Sequence, residues 1–143
     1  MADTFSRRER SRIMARVLGR GNLSTEQRFL RLLREARITG WRRHLPLPGN
    51  PDFVFRAFRV VVFLDGCFWH GCPRHLRLPA DNRAYWAGKI GRNRRRDRRA
   101  ARELKARGWR VVRVWEHALR TAAARKRALA RVRRALCAES MAR

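Results

Sequence analysis

Acidic side chains are scarce in this sequence: 11 Asp and Glu stand against 37 Lys and Arg in 143 residues, a formal charge of +26. A folded protein with that imbalance repels itself unless a polyanion neutralises it, which makes nucleic acid the leading partner. Arg far exceeds Lys and favours bidentate contacts to phosphates and base edges, although the abundance of Ala points to a compositional bias that also raises Arg. Long apolar runs are missing as well. Val60 to Leu64 is the longest strongly apolar stretch, far short of the ~20 residues of a membrane span, and the opening MADTFSRRERSR has no signal-like segment. Both absences argue against a membrane protein and for a soluble, intracellular one. Cysteine is limited to Cys67, Cys72 and Cys137, which cannot all pair, so a metal or free thiols are expected. With no internal repeat, the length fits one compact domain with basic extensions.

What is present divides into helix, strand, strand, helix, strand, helix, an order that implies a small mixed sheet flanked by helices. Residues Ser6 to Leu18 read as a basic arm or helix. Ser24 and Gln27 have capping-box spacing before Phe29, Leu30, Leu32, Leu33 and Ala36, and Gly40 is expected to end that helix. Asp52 to Phe55 and Val60 to Leu64 read as antiparallel strands, the second apolar throughout as a central strand should be. A helix is expected from about Asn93 to Arg107, stopped by Gly108. Trp109 to Trp115 reads as a third strand, and Ala118 to about Leu136 as a basic helix.

Against so few acids, the positions of the carboxylates carry information. Asp52 opens one strand and Asp65 closes the next, so antiparallel pairing brings both to one edge of the sheet, where hard oxygen donors suit Mg2+. The alternative for Asp52 is a turn residue after Pro51. Cys67, Cys72 and His75 lie within nine positions, with His117 after the third strand, a composition that suits a tetrahedral structural zinc site. Buried free thiols and surface histidines are the alternative, and Cys137 is a second candidate for the fourth ligand. His70 is then left to move a proton near neutral pH. Asn93 and Asp97, one helical turn apart, are placed to orient it or the metal's waters, unless Asp97 simply pairs with a neighbouring Arg.

The strings Asp65-Gly-Cys-Phe-Trp-His-Gly-Cys-Pro, Pro51-Asp-Phe-Val, Lys89-Ile-Gly-Arg-Asn, Asp97 and Gly108-Trp-Arg-Val-Val-Arg-Val-Trp-Glu resemble the very short patch repair (Vsr) endonucleases. Arg12 to Arg16 with Met14, and Thr25-Glu26, are similar to that family's N-terminal segment, so the resemblance spans roughly residues 6 to 120. It implies an α/β, restriction-endonuclease-like core that nicks one strand of duplex DNA beside a T:G mismatch left by deamination of 5-methylcytosine. It further implies Asp52 and the Leu64 backbone carbonyl as Mg2+ ligands, His70 as base, and Asp97 and Glu26 as supporting acidic groups. Asp65 falls where the family carries His or Asp. The related nuclease pattern Pro-Asp…(Asp/Glu)-x-Lys is incomplete, with Phe63 and Asp65 where the acid and lysine would stand, which leaves His70 more to do.

The same resemblance implies zinc on Cys67, Cys72, His75 and His117, the last where a cysteine is familiar. Phe68, Trp69 and Trp86, with Met14, become a wedge for the base stack, against the alternative that the rings are core. A basic arm over 1–22, a catalytic core over 23–120 and a basic tail over 121–143 follow. So do a monomeric, cytoplasmic, nucleoid-associated enzyme of bacteria and a functional association with a cytosine-5 DNA methyltransferase. A zinc-stabilised, non-catalytic nucleic-acid-binding protein is the competing reading, one that has no need of Asp52, His70 and Asp97.

Overall fold

The structure, a computed structural model, describes residue 8 and residues 24–74 and 76–141, with side chains to residue 138. The N-terminal arm, including Met14, and His75 lie outside the described residues. Helix α1 covers 24–35 and buries Phe29, Leu32 and Leu33, positions that share one helical face. Ser24 is already helical, so it does not cap the helix as its spacing to Gln27 suggests. The helix also stops before Gly40. Arg37 takes the left-handed conformation at φ 56°, and the Ile38 amide donates to the Leu33 carbonyl at 2.9 Å. This is the closure in which the second residue past the helix reaches back and packs against the core.

Four strands form one mixed sheet in the order β1 (Arg42–Arg43), β2 (Phe53–Phe55), β3 (Val60–Asp65), β4 (Arg110–Trp115). The two-residue β1 has no alternating pattern and is not legible in the sequence. The pairs β1–β2 and β2–β3 are antiparallel, and β3–β4 is parallel, as a crossover through helix α2 (Arg83–Ala106) requires. Every residue of β3 is buried. Val60, Val62 and Leu64 enter a core shared with Phe29, Leu33, Leu119 and Val132, while Val61 and Phe63 enter a second one with Leu104 of α2. Fully buried Phe29 meets Phe53 edge to face at 5.0 Å, and truncating either ring would cost roughly 3–5 kcal/mol.

Helix α2 begins ten residues before the expected Asn93. Gly88 and Gly91 weaken the local helix signal, but Trp86 and Ile90, one turn apart and buried, anchor its first half. Gly108, at φ 86°, ends it as expected. A single 3₁₀ turn over Glu116–Leu119 precedes α3 (Ala122–Met141), which therefore starts after Ala118 and runs beyond Leu136. The Thr121 hydroxyl accepts the Ala124 amide at 3.1 Å as the cap. Ala128 and Val132 pack α3 on the core, so the tail is part of the folded unit.

Candidate active site

Asp52 sits one residue before β2, where its amide still donates to the Val62 carbonyl at 3.0 Å. Its side chain turns across the end of β3, and Oδ2 accepts the Leu64 amide at 2.7 Å. Glu26 from α1 and His44 from the residue after β1 complete a cluster whose donor atoms all lie within 4.8 Å of one another. Ligands of one divalent ion at ~2.1 Å stand no more than ~4.2 Å apart, so a small closure brings this set to a cation. Arg43 donates to Glu26 Oε2 at 2.5 Å and His44 Nε2 lies 3.7 Å from the same oxygen. Burial pushes the Asp52 carboxyl from 3.8 up to about 7. The Leu64 amide opposes that rise, and Glu26 and Asp65 add to it. Crowded carboxyls of this kind fit a hard cation. His44 escaped sequence reasoning because nothing local marks it; three separate elements bring the cluster together.

Asp65 does not join this cluster. Its side chain belongs to the opposite grouping, where β4 and α2 meet. Arg113, in register with Phe63, donates from Nε to Asp65 Oδ2 at 2.8 Å and from Nη2 to Oδ1 at 3.2 Å. The same Nη2 lies 3.4 Å from Asp97 Oδ1. Asp97 Oδ2 meets His70 Nδ1 at 2.5 Å, whereas Asp65 Oδ1 is 3.8 Å from that nitrogen. Burial works against the His70 imidazolium, but the Asp97 hydrogen bond and the charges of Asp65 and Asp97 outweigh it, so its pKa is raised. Burial likewise opposes the Asp97 carboxylate, and His70 with Arg113 reverses that, so its pKa is lowered. An Nδ1–H bound to a carboxylate leaves Nε2 as the basic ring nitrogen. His70, Asp65, Asp97 and Arg113 line a cleft of about 230 Å³ with Arg94 and Arg98.

Asn93 is not part of this network. Its amide donates to the Trp69 carbonyl at 3.0 Å and so holds the loop after β3, in place of orienting His70. In that loop Gly71 adopts φ 66° against α2, where a Cβ would come within 2.9 Å of Ile90 and Arg94 side-chain carbons. Cys67 and Cys72 are buried, and His117 Nδ1 lies 3.4 Å from one sulfur and 3.5 Å from the other. Burial pushes the Cys67 thiol up to about 11, only partly offset by the His117 backbone amide. A soft divalent cation is what would turn two such thiols into thiolates. Cys137 stands exposed on α3, away from this group.

The aromatic residues of the loop form a cluster with α2. Phe68 and Trp69 are each half-buried. Their ring centroids are 5.3 Å apart, and they lie 5.5 and 5.8 Å from that of Trp86. Trp86 itself is only 4% exposed, which makes it the base of the cluster, with the other two rings as its open edge. Lys89 Nζ lies 4.9 Å from the Trp69 centroid.

A basic α/β domain that sets carboxylates on one side of a strand end and a carboxylate-bound histidine on the other has the equipment of a hydrolytic DNA endonuclease. The sequence profile of the family described as DNA mismatch endonuclease Vsr matches residues 2–75. The chain is 40% identical to the DNA mismatch endonuclease Vsr of Escherichia coli over 121 residues, 84% of this chain and 77% of that one. It is also 40% identical to the type II nicking enzyme V.XorIIP of Xanthomonas oryzae pv. oryzae, over 81% of this chain and 85% of the other. With V.NaeI of Lentzea aerocolonigenes identity rises to 57%, over 48% of this chain and 41% of that one. The chain belongs to the Vsr family of DNA mismatch endonucleases.

Proposed function

We propose that this protein nicks one strand of duplex DNA beside a T:G mismatch, the product of 5-methylcytosine deamination, and so begins very short patch repair. The observation that carries the reading is the pairing of His70 Nδ1 with Asp97 Oδ2 at 2.5 Å, in a cleft that Arg94 and Arg98 also line. Asp97 fixes the ring, and His70 Nε2 takes the proton of the attacking water as general base. Arg94 and Arg98, lining the same cleft, supply positive charge for the phosphates of the bound strand. Asp52, the Leu64 carbonyl and Glu26 would hold Mg2+, with His44 beside them. When bound, Mg2+ neutralises charge that builds on the phosphate.

Cys67, Cys72 and His117 would hold a structural zinc together with His75, fixing the loop that carries Phe68, Trp69 and His70. Insertion of Phe68 and Trp69 into the base stack then sets a fixed distance from mismatch to scissile bond. The mixed sheet with helices on both faces supports a reduced restriction-endonuclease-like core. Action as a cytoplasmic monomer, in functional association with a cytosine-5 DNA methyltransferase, belongs to the same reading. The test is incubation of T:G and T:A duplexes of one sequence with and without Mg2+. A single nick in T:G duplex that needs Mg2+ is expected. Binding of both duplexes with cleavage of neither would make the protein a zinc-stabilised binder.

A further inference from the structure

Asp65 is 3% exposed, and a buried carboxylate has to be paired. It has two possible partners within reach, the Arg113 fork at 2.8 and 3.2 Å and His70 Nδ1 at 3.8 Å. Asp97 already holds that nitrogen at 2.5 Å. Two carboxylates therefore flank one N–H, and the ring can satisfy only one of them. Arg113 decides between them. Its guanidinium spans both oxygens of Asp65 and uses Nη2 again for Asp97 Oδ1, leaving Asp97 Oδ2 for the histidine. The position of the arginine is fixed from below, because it is in register with Phe63 and its Cζ lies 4.4 Å from that ring's centroid. A lysine has one point charge on a flexible stem and cannot span a carboxylate in this way.

We infer that Arg113 is a positioning residue for the nicking reaction: it sequesters Asp65, so that Asp97 alone sets the orientation of His70. The inference rests on the reading of His70 as the base. Its consequence for Asp65 is specific. The carboxylate acts here as a counterpart of Arg113 and not as a cation ligand, and it becomes a competitor for the His70 N–H once the arginine is gone.

Four variants of the full-length protein test this: His70→Ala, Arg113→Met, Arg113→Lys, and the double variant Arg113→Met/Asp65→Asn. Single-turnover nicking of a T:G duplex is measured at saturating enzyme, beside duplex affinity, zinc content and the ¹⁵N signals of the His70 ring. Arg113→Met is expected to slow nicking at least ~10-fold, while affinity changes less than ~3-fold because one charge in 37 is lost. Its His70 Nδ1 signal should shift as the hydrogen bond to Asp97 is disturbed. Arg113→Lys should be nearly as slow as Arg113→Met. The double variant should recover most of the rate and the original ring signal, because a neutral amide in place of the Asp65 carboxylate is a much weaker acceptor than the charged Asp97 and loses the competition for the ring N–H.

A double variant as slow as Arg113→Met overturns the inference and makes Arg113 a direct phosphate contact or Asp65 a reacting group. Loss of folded protein in Arg113→Met, with an unchanged rate and ring signal in the molecules that remain folded, overturns it in favour of a purely structural role. His70→Ala separates this from the underlying reading. If that variant nicks normally, the base assignment itself fails, whatever Arg113 does.

Discussion

Asp52→Asn is expected to stabilise the protein in buffer without Mg2+ and, once Mg2+ is added, to leave it unable to nick. Burial and the nearby Glu26 hold the Asp52 carboxyl at about 7, against an ordinary value of 3.8. Keeping it ionised above that pH corresponds to an upper bound of about 4 kcal/mol, and relaxation with water penetration brings the cost to about half of that. Asn keeps the useful contact, since its carbonyl oxygen accepts the Leu64 amide as Oδ2 does now. Its NH₂ can donate toward Glu26, replacing a repulsion with a hydrogen bond. The sign follows from the direction of the shift. Below about pH 4 the carboxyl is protonated whether the chain is folded or not, and Asn has no advantage. The advantage grows as pH rises toward 7 and levels off above it. For a protein of this size about 2 kcal/mol corresponds to a melting temperature higher by roughly 4–8 °C. Thermal melts of wild type and Asp52→Asn at pH 5, 6, 7 and 8, with no added divalent ion, read the difference directly. A variant less stable than wild type at pH 8, or an offset equal at pH 5 and pH 8, would refute the reasoning.

Purified protein should carry close to one zinc per chain, read by elemental analysis. His117→Ala should lower both zinc content and melting temperature, whereas Cys137→Ser, altering an exposed thiol, should change neither. His70→Ala should slow nicking by at least ~10²-fold in single-turnover assays, the loss expected for a general base. Phe68→Ala and Trp69→Ala should impair cleavage of T:G duplex with near-normal folding and zinc, and quenching of tryptophan emission on T:G relative to T:A should shrink in Trp69→Ala. Trp86→Ala should differ from both by destabilising the fold by roughly 3–5 kcal/mol in urea melts, since that ring is buried.

Strands β2, β3 and β4 and the cysteine-rich loop are legible because their signals are local. Unbroken apolar runs mark β2 and β3, and Cys67 and Cys72 are five positions apart with His117 arriving just after β4. The start of α2 is not legible, because Gly88 and Gly91 hide a helix whose stability comes from burying Trp86 and Ile90. Asp65 shows the limit most clearly. Its place at the end of β3 is readable, but its partner Arg113 stands 48 residues away and is one arginine among many. Only the parallel β3–β4 register brings the two together. The cluster of Glu26, His44 and Asp52 is likewise assembled from three elements, so no spacing in the chain announces it. Asn93 sits one turn from Asp97 as the sequence suggests, yet the loop offers it the Trp69 carbonyl first.

The most direct measurement is a competition in one tube between T:G and T:A duplexes of identical sequence, each strand carrying its own fluorophore, with wild-type protein and Mg2+. The account predicts a product from one strand of the T:G duplex, formed at least ~10²-fold faster than any product from T:A, because the wedge opens the weakly paired step at least cost. Equal nicking of the two duplexes, or cleavage of both strands, would contradict it.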